Sequence, residues 1–67
     1  MRTFTVLVHW EDGDVADADE FAVAAISVKQ AKMTASTLWS ATNGAKYPNA
    51  RIVEIEILTR RMMRSLA

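Results

Sequence analysis

The chain contains no cysteine, only two glycines and one proline among 67 residues, and its charges cancel. Without cysteine there is neither a disulfide framework nor a thiolate zinc site. The scarcity of glycine and proline leaves no linker, repeat or low-complexity tract at which to divide the chain. No apolar run reaches the ~18–20 residues needed to cross a bilayer. The acids from Glu11 to Asp14 interrupt the stretch that a secretory signal would keep apolar, so a cytoplasmic chain is expected. A balance of eight basic against eight acidic side chains argues against a general nucleic-acid binder, since such affinity comes from neutralising phosphates.

Apolar residues make up 51% of the chain, too many for a disordered segment. At 7.5 kDa a domain buries only about 60% of the surface its unfolded chain exposes. Small domains without disulfides or metals gain stability by association, so a homo-oligomer, a dimer, is expected. The charges are segregated along the chain. Six of the eight acids (Glu11, Asp12, Asp14, Asp17, Asp19, Glu20) fall within ten residues, and three of the eight bases (Arg60, Arg61, Arg64) lie near the C-terminus.

Phe4, Val6, Val8 and Trp10 recur with period two and predict a strand with those residues on one face. Thr3, Thr5, Leu7 and His9 take the other. Asp12-Gly13 is a dipeptide favoured in tight type I′ hairpins. Such a turn would set Asp17 and Asp19 opposite Val8 and Val6 on the buried face, at a cost of several kcal/mol for unpaired carboxylates. A longer acidic loop is therefore predicted, with the second strand running from Glu20 to Ile26. Phe21, Val23 and Ala25 would face inward. Ser27 with Gln30 three positions on forms a capping box, and Ile26 stands where it could staple against Ala31. The helix should run from Val28 to about Thr42 and bury Val28, Ala31, Ala35, Leu38 and Trp39. Gly44 would end it in a positive-φ conformation. A third strand, Arg51 to Leu58, alternates Val53, Ile55 and Ile57 against Ile52, Glu54, Glu56 and Leu58.

The expected fold is α+β: a β-β-α-β domain over residues 1–58, with three strands and one helix packed on one face. The outer two strands should be parallel and flank the first, with a right-handed crossover. Residues 59–67 form a basic, methionine-bearing segment, either a short helix or a tail. The sheet face away from the helix would carry Thr3, Thr5, Leu7, His9, Ala22, Ala24, Ile26, Ile52, Glu54, Glu56 and Leu58. The Leu7, Ile26, Ile52 and Leu58 set is larger than a solvated face needs. That face is expected to meet a protein partner, a second copy first of all.

His9 is the sole histidine, and no carboxylate stands at a triad spacing from it. Nucleophile-elbow, P-loop and zinc-ligand patterns are also missing. No enzyme activity, metal or cofactor is expected. The acidic run lacks the sixth-position glycine and distal glutamate of an EF-hand loop and reads as a solvated turn. It could also meet a basic partner or mimic a run of phosphates. Trp10 reads either as a core-edge residue or as a partner anchor.

The run from Glu20 to Trp39 (EFAVAAISVKQAKMTASTLW), preceded by Val6 to Gly13 (VLVHWEDG), resembles small uncharacterised accessory proteins of actinobacterial phages. These show a strand, an acidic turn, a strand ending in Ala-x-Ser, and an alanine-rich helix. The resemblance implies an accessory protein acting on host or phage proteins, with no catalytic residues to transfer. The expected function is a non-enzymatic protein-binding module, with Leu7, His9, Ile52, Glu54, Glu56, Leu58, Arg60, Arg61, Met62, Met63 and Arg64 as candidate contact residues. The alternative is a small regulator that binds nucleic acid, or the proteins that process it, through the C-terminal arginines.

Overall fold

The computed structural model describes residues 1–58. Its elements are β1 (Arg2–Asp12), β2 (Val15–Ala25), α1 (Val28–Asn43) and β3 (Arg51–Leu58). They form the expected α+β arrangement. The strand order is β2-β1-β3, with both outer strands antiparallel to β1 and so parallel to one another. Period-two patterning makes β1 the spine of the molecule. Phe4, Val6, Val8 and Trp10 are buried, while Thr5, Leu7 and His9 are half-buried on the opposite face.

The hairpin differs from the sequence expectation. Asp12 pairs with Val15, so the turn has two residues, Gly13-Asp14. Gly13 takes φ +60° at the first central position, the pattern of a type II′ turn. The acidic stretch is strand rather than loop. This register sets Asp17 opposite Trp10 and Asp19 opposite Val8, on the helix side of the sheet. The desolvation cost that argued against a tight hairpin is met by partners distant in sequence. Asp19 Oδ2 accepts hydrogen bonds from Trp10 Nε1 (2.8 Å), Trp39 Nε1 (3.0 Å) and Asn43 Nδ2 (3.2 Å). Asp17 remains exposed and accepts from the Ala18 backbone N–H.

Ser27 caps α1 in extended conformation, its hydroxyl accepting from the Gln30 N–H at 3.1 Å. Gln30 Oε1 reaches one residue further back than a standard capping box and accepts from the Ile26 N–H at 2.7 Å. Ile26 itself is 72% exposed, so no staple against Ala31 forms. The buried stripe of the helix is narrow, consisting of Ala31, Ala35 and Trp39. Val28 and Leu38 are exposed, because a three-stranded sheet is too narrow to cover the flanks of the helix. The alanines permit close approach to β1 and β2. Beyond them Trp39 lies against Trp10, with ring centroids 5.7 Å apart, and Trp10 against Tyr47 at 4.7 Å. Trp10 is therefore a core residue, 4% exposed. Gly44 keeps right-handed backbone (φ −59°), not positive φ. A Cβ there would lie 2.4 Å from the Ser40 carbonyl oxygen, so the position demands the absence of a side chain.

β3 also departs from simple alternation. Glu54 pairs with His9 but Ile52 pairs with Trp10, leaving Val53 as the extra residue of a bulge. The bulge turns Ile52 to the helix side, where it packs on the core with Ile55 and Ile57. Val53, predicted to be buried, is 51% exposed.

Candidate functional site

One face of the sheet is closed by α1, and the other is covered by no helix or strand among the described residues. Its centre line is Thr3, Thr5, Leu7, His9 and Glu11 from β1. Through the register, β2 adds Ala24, Ala22, Glu20, Ala18 and Ala16, and β3 adds Leu58, Glu56, Glu54 and Arg51. Small side chains on β2 make one half of the face low, and glutamates on β3 edge the other half.

The predicted contact residues divide three ways. Leu7, His9, Glu54, Glu56 and Leu58 are brought together on this face as expected. Ile52 is not, since the bulge moves it to the core, and Ile26 lies in the bend before α1. Arg60, Arg61, Met62, Met63 and Arg64, with the short C-terminal helix or tail, lie outside the described residues. Leu58 is 9% exposed and stands apart from the helix-side cluster.

Register creates the polar contacts of the face. His9 sits directly opposite Glu54, yet its Nε2 meets the diagonal neighbour Glu56 Oε1 at 3.0 Å. With Nε2 protonated, His9 donates that bond. Arg51 Nε donates to Glu11 Oε1 at 2.8 Å, and its Nη2 donates to the same oxygen. The Arg51 side chain is 75% exposed, so this pair fixes geometry more than it adds stability. Glu11 and Glu20 belong to the site although neither was among the predicted contact residues. The strand assignment of residues 15–25 is what places Glu20 beside Leu7.

Among the described residues four glutamates and one arginine share the face, and the whole described body has the same sign. Residues 1–58 hold all eight acids and five of the eight bases, a net charge of −3, which the remaining three arginines balance. Among the described residues no group of three or more His, Asp or Glu side chains is placed to hold a metal ion. The hairpin acids are strung along two strands and do not converge. Shallow grooves lie on the helix side, beside Gln30 to Leu38 and between Lys32 and Ile55, away from the His9–Glu56 pair. No helix among the described residues is long and apolar enough to cross a membrane. No protein-family model, curated protein or solved structure matches the chain.

Proposed function

We propose that the chain is a non-enzymatic protein-binding module, a phage-type accessory protein of the cytoplasm, whose open sheet face takes a basic segment of a protein partner. The observation that carries this reading is the composition of that face. Glu20 and Glu56 flank the half-buried Leu7 across the register, Glu54 and Glu11 lie further along the same face, and Arg51 is the one cation on it among the described residues. A rim of one charge sign around a small apolar centre favours an oppositely charged partner and steers its approach. The same repulsion disfavours a second copy laid face to face on the sheet. Recognition fits this surface better than turnover does, because His9 and Glu56 lie on a flat sheet and not in a cleft.

The test is affinity capture from actinobacterial lysate, comparing the wild type with Glu20→Lys/Glu54→Lys/Glu56→Lys. A partner held by the wild type and lost by the triple variant, with salt-sensitive retention, supports the reading. Identical retention by both proteins overturns it. The second reading, a small regulator of nucleic-acid transactions, draws on the clustering of Arg60, Arg61 and Arg64. Binding of labelled duplex at low salt, abolished when those three become Ala, would favour it.

A further inference from the structure

We infer that residues 59–67 of this chain dock back on the open sheet face and hold it when no partner is bound. The inference rests on the reading of that face as a site for a basic segment, and it names the segment that reaches the face first. Thr59 to Ala67 lie outside the described residues, but the sequence gives their chemistry. They carry Arg60, Arg61 and Arg64, the apolar Met62, Met63 and Leu66, and no acid.

Charge, place and shelter select this occupant. Residues 1–58 have a net charge of −3, and the three arginines that follow supply +3. Among the described residues the ion pairs of the face are His9–Glu56 and Arg51–Glu11. Neither engages Glu20 or Glu54, which are both exposed. A basic segment tethered to the same body meets those carboxylates at a high effective concentration.

β3 is an edge strand, and its last residue, Leu58, pairs with Thr5 on the open face. Ala22 lies across Thr5, and Ala24 across Thr3, so uncharged and mostly small side chains floor this end of the face. In the next row Glu56 and Glu20 stand on either side of Leu7. Two strand spacings across and two residues along separate Leu58 from Glu20 by about 12 Å. Residues 59–64 span up to about 20 Å extended or about 9 Å as a helix, and the arginine side chain supplies the remainder. Glu56 is nearer still.

Leu58 is only 9% exposed, the one buried side chain of the face among the described residues. No described helix or strand covers that face, and Leu58 stands apart from the helix-side cluster. Shelter thus falls where the chain leaves the sheet. In the docked state Met62, Met63 and Leu66 extend that cover over Thr5 and Leu7, while the arginines meet Glu20, Glu54 and Glu56. A basic partner must displace the segment, so its apparent affinity falls with the fraction of molecules whose face is open.

A nitroxide on Ser65→Cys in the full chain reads the docking by NMR, since the native chain has no cysteine. The amide signals of Leu7 and Glu20 should be lost, and those of Met33 and Thr37 on the outer side of α1 kept. Arg60→Gln/Arg61→Gln/Arg64→Gln leaves residues 1–58 intact and should restore the Glu20 signal. A synthetic peptide of residues 59–67 added to that variant, without the nitroxide, should then shift the Leu7 and Glu20 amides. Equal signal loss on both faces overturns the inference, as does a loss unchanged in the triple variant. Isotope-labelled chain without the nitroxide, mixed with unlabelled chain that carries it, tests for a second copy. The same loss in that mixture overturns intrachain docking. Signal loss with no partner captured overturns the proposed function alone, and a captured partner without signal loss overturns this inference alone.

Discussion

Replacing Asp19 by Ala should cost this domain much of its stability. Its Oδ2 is the acceptor for the indole N–H groups of Trp10 and Trp39, and both rings are buried to 4% exposure. Without that oxygen, two buried donors lose their partner at about 1–3 kcal/mol each, or about 2–6 kcal/mol together. Asn43 also donates to Asp19, but its side chain is half-exposed and can turn to water, so it adds little. At ~0.05–0.15 kcal/mol per residue, a domain of this length holds only about 3–10 kcal/mol in all. Asp19→Asn keeps a carbonyl acceptor and loses the charge. Since charge-assisted bonds are about twice as strong as neutral ones, a loss of ~1–2 kcal/mol follows, equivalent to about 4–16 °C in melting temperature. Asp17 is the internal control. It lies two residues away on the same face of β2, is exposed, and accepts only from its neighbour's backbone. Asp17→Ala should stay within about 0.5 kcal/mol of wild type. Urea unfolding followed by tryptophan fluorescence reads all three variants. Equal midpoints for Asp19→Ala and Asp17→Ala would refute the role assigned to the indole bonds.

The bulge and the turn give two further tests. Ile52→Glu should destabilise by about 1–3 kcal/mol because its side chain packs on the core, whereas Val53→Glu should stay within ~0.5 kcal/mol. Uninterrupted alternation predicts the reverse order, so chemical denaturation of the pair checks the bulge directly. Gly13→Ala places a Cβ at φ +60° and should cost about 1–2 kcal/mol. Gly13→Asn should cost less, and thermal melts distinguish the two.

The candidate site was legible where it depended on local pattern and obscure where it depended on register. Alternation in β1 places Leu7 and His9 on the open face. It cannot show that His9 reaches Glu56 across a diagonal, because that follows from the alignment of β1 with β3. Alternation in β3 misplaces Ile52, since a bulge leaves the sequence pattern intact while rotating every side chain beyond it. Leu38 looked like a core residue from its helical spacing. Only the narrowness of the sheet leaves it outside, on the flank of the buried stripe.

Local physics set the element types. Period-two β-branched and aromatic residues make β1 a strand, Ser27 and Gln30 begin the helix, and the Gly13 region turns the chain. These choices rest on backbone sterics and hydrogen bonds within a few residues, which one sequence carries in full. Tertiary structure decided the fate of the acidic stretch. A carboxylate on the inner side of a sheet is expensive alone and acceptable once two indoles and an amide surround its oxygen. Those donors come from Trp10, Trp39 and Asn43, which only the folded chain assembles around Asp19.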